Sequence, residues 1–262
     1  MKALIIVLFL LLASVSNAQT SKLYVVETVG NVKMIVDSKY QESVQATAYP
    51  APGTAIITGE KSRQVVVYSN GVGMYVGSES MVLVRSYIQQ PFSNLHDTYA
   101  MEPSITRGQT MVGRGIVGIC TGNLLAGTML QYTTPNANVN LYTSRVVIKF
   151  TGTGTQVYLF EGKVTVENHG LSKKIDRQPD LVKPNEVAFI DLDGNITISP
   201  MEDKDKKELE QCVTSACEAR TRVLFGMLGD AAGAESEIKA FPTVPNKLND
   251  NIVVSPSRVI SP

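Results

Sequence analysis

Apolar residues recur at every second position along much of the chain, in short runs separated by Gly, Asn, Asp and Pro. A period of two puts alternate side chains on one face of a strand, so the pattern predicts a half-buried sheet. Residues 22–36 alternate on either side of Gly30-Asn31 and predict a hairpin-like pair of strands. Residues 45–53 carry Pro50 and Pro52 and predict a connection that ends at Gly53. The block 54–76 predicts three strands. They are joined by a turn at Thr58-Gly59 and a hairpin turn at Asn70-Gly71, where both residues tolerate positive φ. Residues 81–85 are the next strand. From 87 to 104 the period is lost around Pro91, His96-Asp97 and Pro103, which predicts a linker. A second series follows at 111–112, 116–120, 123–125, 128–132, 139–142, 145–151, 156–160, 163–167, 186–191 and 195–199. Gly122, Gly127, Gly162 and Asp193-Gly194 punctuate it as turns.

Short strands with closely spaced turns predict an all-β domain over 19–199, a two-lobed β-solenoid-like or β-sandwich fold with lobes at about 22–86 and 105–199. Thr58-Gly59 and Thr121-Gly122 hold matching places in the two lobes, a weak internal repeat. At Pro200 the period changes. Leu209, Cys212, Val213, Ala216, Val223, Leu224 and Met227 fall at helical spacing and predict one amphipathic helix over 200–229. Ser199-Pro200-Met201-Glu202 reads as a capping box with Pro at the first helical position. Glu202, Asp203 and Asp205 suit the positive helix end, and Arg220 and Arg222 lie toward the other. Gly229 is the expected stop, and Pro- and Asn-rich residues 230–262 predict a flexible tail.

The first eighteen residues change the picture of where this domain works. Met1-Lys2, an apolar run over 3–13 and small residues at Ser16 and Ala18 predict a secretory signal cleaved after Ala18. The run is shorter than the about 20 residues a membrane span needs, so no stable span is expected after cleavage. Charge adds little: 24 basic and 24 acidic residues cancel, which argues against nucleic acid or an acidic surface as partner. The 6% aromatic content and absence of Trp count against stacking platforms for sugars or single strands.

Few residues suggest chemistry. Gly113-Arg-Gly-Ile-Val-Gly118 matches a dinucleotide fingerprint in letters. However, β-branched residues follow it rather than a helix, and no acidic residue stands about 20 positions on. Turn glycines are the better reading. His96 and His169 lack the companions that zinc requires. Asp191 to Asn195 resembles the start of a calcium loop without its closing Glu, and Asp193-Gly194 reads better as a hairpin turn. No catalytic residue, metal or cofactor is expected. Cys212 and Cys217 lie too far apart on a continuous helix to bond to each other. Either could reach Cys120, and a buried thiol is the expectation for Cys212.

Gly53, Thr58-Gly59, Ser62, the strand 65–68, Asn70-Gly71 and the strands 74–76 and 81–84 together resemble the core block of the FecR-like family of bacterial envelope proteins. Phe160-Glu-Gly-Lys-Val-Thr-Val166 and Lys183-Pro-Asn-Glu-Val187 resemble later steps of that family, so the likeness covers about 23–199. A Val-Arg-Gly-Thr step common in the family is replaced here by Tyr142-Thr-Ser-Arg-Val-Val147. The resemblance implies a β-solenoid-like fold in the periplasm or cell envelope, with no catalytic residues. The family's signalling members carry a cytoplasmic anti-sigma segment and a membrane helix, and this sequence shows neither. The expectation is an exported, non-enzymatic module that binds another envelope protein. The alternatives are a periplasmic accessory to a sigma-factor regulator and an envelope structural or adhesive protein.

Overall fold

The computed structural model describes residues 19–92, 101–169, 178–228 and 237–243. The expected export signal, His96-Asp97, Gly229 and the tail beyond 243 lie outside the described residues. In chain order the first nine strands are β1 (Gln19–Thr20), β2 (Lys22–Val29), β3 (Val32–Val36), β4 (Lys39–Glu42), β5 (Ala48–Pro50), β6 (Ala55–Thr58), β7 (Arg63–Tyr68), β8 (Gly73–Val76) and β9 (Met81–Gln89). The next seven are β10 (Thr106–Cys120), β11 (Met129–Thr133), β12 (Ala137–Phe150), β13 (Gly154–Asn168), β14 (Asp180–Val182), β15 (Glu186–Asp191) and β16 (Ile196–Pro200). The helix α1 (Asp203–Ala219) leads through a 3-10 turn, Arg220–Arg222, into a hairpin of β17 (Val223–Leu228) and β18 (Glu237–Pro242).

Strands β1 to β16 form one continuous sheet, and the only parallel ladder among the described strands joins β10 to β11. The sheet folds over on itself because three strands are long and bent. The first half of β10 pairs with β9 and β11, and its second half with β8 and β12. The switch falls at Gly115, whose φ is +87 and where a Cβ would stand 2.2 Å from the Ser80 hydroxyl. Strands β12 and β13 bend together at Gly162, φ +91, where a Cβ would stand 1.8 Å from the Thr143 carbonyl oxygen. Only glycine fits both bends. One layer holds β2, β5, β7, β8, β15, β16 and the matching halves of β10, β12 and β13. The other holds β1, β3, β4, β6, β9, β11, β14 and the remaining halves. Leu23, Val66, Met74, Ile148 and Leu159 of the first layer meet Met34, Ile56, Val84, Leu130 and Val164 of the second in one buried core. The fold is therefore all-β with a single helix. It is a sandwich with shared strands rather than a solenoid of stacked parallel coils.

Several expectations change. Residues 22–36 do form two strands, but β2 pairs with β7 and β3 with β6. Gly30-Asn31 is thus a corner between the layers and not a hairpin. Gly162 lies inside β13 as a bulge, not at a turn. Strand β9 continues to Gln89, so the expected linker begins later, and Tyr87 is core: it stacks on Tyr68 with ring centroids 4.5 Å apart. The capping box does not form. Ser199 is paired with Val187 in β16, and Glu202 stands at the N-cap without a side-chain bond. The helix ends at Ala219 instead of running to 229. Val223 and Phe225, two apart and both fully buried, read with a strand's period, which a helical spacing through Val223, Leu224 and Met227 overlooks. Part of the expected tail, 237–242, is the partner strand β18.

Helix α1 and the β17–β18 hairpin cover the outer face of the first layer. Leu209, Cys212 and Val213 pack on Val147 and Tyr158, while Val223, Phe225 and Ile238 pack on Tyr24, Val65 and Val67. Each large apolar side chain so buried contributes about 1.5–3 kcal/mol. Two glycines let the helix approach closely. A Cβ at Gly73 would stand 2.0 Å from the Ala216 carbonyl oxygen, and one at Gly118 2.7 Å from the Cys212 backbone. Thus the fingerprint-like run 113–118 is a strand, with Gly115 at its bend and Gly118 beneath the helix. The disulfide Cys120–Cys217, Cα–Cα 5.1 Å, fastens helix to sheet, and Cys212 is a buried free thiol. No helix among the described residues is long and apolar enough to cross a membrane.

Candidate binding face

The outer face of the second layer carries no covering element among the described residues. Strand register determines what it presents. Gln109 of β10 lies opposite Ser86 of β9 and Gln131 of β11, and Gln131 lies opposite Asn140 of β12. The three amides form a ladder. Gln109 Nε2 donates to Gln131 Oε1 at 3.5 Å, Gln131 Nε2 to Asn140 Oδ1 at 3.0 Å, and Asn140 Nδ2 to Glu167 Oε1 at 3.3 Å. In the next row Ile88 lies opposite Arg107, and Arg107 opposite Met129, with Tyr142 beyond. Ile88, Met129 and Tyr142 are 54%, 64% and 46% exposed. The Lys163 ammonium sits 4.9 Å from the Tyr142 ring centre. Together these rows line an open trough of about 640 Å³.

The trough can hold a ligand by hydrogen bonds from the amides, with apolar contact from Ile88, Met129 and Tyr142 and with Arg107 and Glu167 as charged members of its lining. Each amide carries two N–H donors and a carbonyl acceptor, so the ladder bonds leave capacity for a further partner. Its lining includes no histidine or cysteine, and among the described residues no three of His, Cys, Asp and Glu gather as metal ligands.

Beneath one end of the trough lies a buried polar network. Glu102 and Asn70 are each 2% exposed. Asn70 Nδ2 donates to Glu102 Oε1 at 3.0 Å, and Asn70 Oδ1 accepts from the Tyr87 hydroxyl at 2.8 Å. Glu102 Oε2 accepts the Leu125 N–H and the Thr128 hydroxyl. Burial, with the neighbouring Tyr132 and Tyr68 next in weight, pushes the Tyr87 hydroxyl well above its ordinary range. Burial first, and then Tyr68, does the same for Tyr132.

The residues singled out in the sequence are spread over the molecule. Asn70 bonds Glu102 directly and Gly127 (φ +97) reaches it through Thr128, while the Gly71 carbonyl oxygen accepts Arg220 Nε at 2.6 Å. Gly122 follows Thr121, whose carbonyl oxygen accepts Arg220 Nη1 at 3.0 Å. Gly53, φ +78, donates its N–H to Val84, and Gly59 donates to Asn31, both at the opposite side of the second layer. Asp193-Gly194 forms the expected β15–β16 turn, and Ser199 and Glu202 stand near the helix start. None of these lines the trough, whose amides were not singled out at all. Their signal was present: Gln109, Gln131 and Asn140 occupy outward positions beside inward Thr110, Tyr132 and Val139. Only the register aligns them across three strands.

No family model matches the chain, and no curated protein does. Two crystal structures of a "putative anti-sigma factor" from Parabacteroides distasonis, at 2.50 and 1.65 Å resolution, are similar to it. Identity is 14% in both cases, with TM-scores of 0.44 and 0.43. Each match covers 60% of this chain and 64% of the other, so the chain spans less than two thirds of the structures it matches.

Proposed function

We propose that the chain is a non-enzymatic, exported binding module of the bacterial envelope, of FecR-like type, which takes an extended segment of another envelope protein on its trough. The observation that carries this reading is the asymmetry of the two outer faces. One is covered by α1 and the β17–β18 hairpin. The other presents an amide ladder beside exposed Ile88, Met129 and Tyr142. An extended segment offers an N–H donor and a C=O acceptor from each residue to such a ladder and side chains to Ile88, Met129 and Tyr142. The secretory pattern over 1–18 and the Cys120–Cys217 disulfide support an oxidising compartment. A narrower form of the same reading places the module beside a membrane-bound sigma-factor regulator.

A photo-crosslinking amino acid at Gln131 in living cells tests the proposal, with Leu192 at the β15–β16 tip as control. A discrete adduct from position 131 alone, lost in a Met129→Glu background, is the expected result. Equal labelling from both positions, or none from 131, overturns it.

A further inference from the structure

The disulfide that fastens α1 is chemically asymmetric. Cys120 points outward from β10 and is 3% exposed, while Cys217 is only half-buried. Arg220, 4% exposed, donates from Nη1 to Cys120 Sγ at 3.7 Å. The guanidinium cannot swing away, because its Nε is bonded to the Gly71 carbonyl oxygen and the same Nη1 to that of Thr121. Beside the bond lies a cavity of about 390 Å³, walled by Ser144, Arg145, Glu161 and Gly162 and reaching both cysteines. None of this serves the trough.

We infer that Cys120–Cys217 is a reaction site for an external dithiol, opened in the folded protein by attack on Cys217. A dithiol thiolate approaches through the cavity and bonds to Cys217 Sγ. The Cys120–Cys217 bond breaks, and its electron pair leaves on Cys120 as a thiolate beside the Arg220 guanidinium. The second dithiol thiolate then attacks its own partner sulfur and releases Cys217, which takes a proton from water. The dithiol ends as a disulfide, and the protein has gained two electrons. Exchange quickens as the leaving thiol's pKa falls, and a fixed cation beside a sulfur lowers that pKa. Packing of α1 over Gly73 and Gly118 keeps the helix seated after the bond opens. The reduced protein therefore stays folded with a reactive Cys120. Cys212 is an internal control: burial first, and Glu208 after it, pushes its thiol up to about 11.

The test uses the full chain without denaturant at pH 7. Dithiothreitol forms one arm and a reduced Cys-x-x-Cys oxidoreductase the other, each followed by alkylation and peptide mass spectrometry. Complete opening within minutes, with an unchanged circular dichroism spectrum and Cys212 unlabelled, is expected in at least the first arm. Success in the second arm assigns the dithiol to a protein, and success in the first alone assigns it to small thiols. Where the second arm succeeds, an oxidoreductase whose resolving cysteine is replaced should be trapped on Cys217. Trapping on Cys120, or opening only at the rate of global unfolding, overturns the inference. Arg220→Met should slow opening about tenfold, and Arg220→Lys should recover most of the rate. If Arg220→Met does not fold, the alkylation profile of reduced wild-type Cys120 decides. A midpoint below the ordinary thiol value of about 8.5 supports the inference, and one above it overturns it.

Discussion

At the scale of single residues, glycines divide the labour that their spacing disguised. Gly118→Val would push a branched side chain into the Cys212 backbone. The expected loss is about 1–3 kcal/mol or more, a fall of about 2–4 °C in Tm for each kcal/mol in a chain this size. Gly113→Ala should be nearly silent, since the nearest atom to its Cβ is 3.6 Å away. Differential scanning calorimetry on the two variants distinguishes a helix seat from a cofactor loop, which would need both glycines. Asn70→Ala should cost about 1–3 kcal/mol by leaving Glu102 and the Tyr87 hydroxyl short of a partner, read as a lower urea midpoint. The Asn70-Gly71 hairpin was legible because its turn chemistry is local, although the turn has three residues. Tyr68 accepts the Gly71 N–H and donates to Val72 across Ser69-Asn70-Gly71, and only Gly71 has positive φ. The role of Asn70 in the network was not legible. Glu102 is 32 positions away, and nothing local announces the contact.

At the scale of elements, α1 is a lid whose removal should be costly. Truncation after Ser199 would expose Val147, Tyr158, Tyr24, Val65 and Val67 to water. The expected result is a lower Tm and increased binding of an apolar fluorescent dye, and an unchanged melting curve would refute the lid. Local periodicity found the helix and most strands; β15, for example, has the bounds its alternation predicts. It divided β10 and β13, because a glycine in a bulge and a glycine in a turn are the same letter, and β12, because its alternation breaks at Thr143-Ser144, opposite the Gly162 bulge. It also extended the helix too far: Val223, Leu224 and Met227 satisfy helical spacing as well as Val223 and Phe225 satisfy a strand's. What decides is the apolar surface waiting at Tyr24 and Val67, which lies far away in sequence.

At the scale of the whole molecule, buried acids should make the fold alkali-sensitive. Burial, followed by the carboxylates of Asp205, Glu208 and Glu202, pushes the Tyr158 hydroxyl up to about 12. Burial also raises Cys212 to about 11 and carries Tyr68 upward. A raised native pKa means the folded state keeps protons that the unfolded chain has released. Stability from Cys212 is then complete below its ordinary value of 9.0 and is lost as pH rises through about 11. Urea midpoints at pH 7, 9 and 11 should hold between the first two and fall at the third. A flat series would count against these burials. The all-β class was legible from alternation alone. The choice of sandwich over solenoid was not, since it depends on which strands pair.

One strand sets how the molecule can be divided. Every ladder between the strands up to β9 and those from β10 onward runs through β10 itself. Fragments 19–92 and 101–242, produced separately, would each present a raw sheet edge matched only to the other. Mixed together, they should reassemble as a split protein, with the bent strand as the seam at which either half recognises its missing complement.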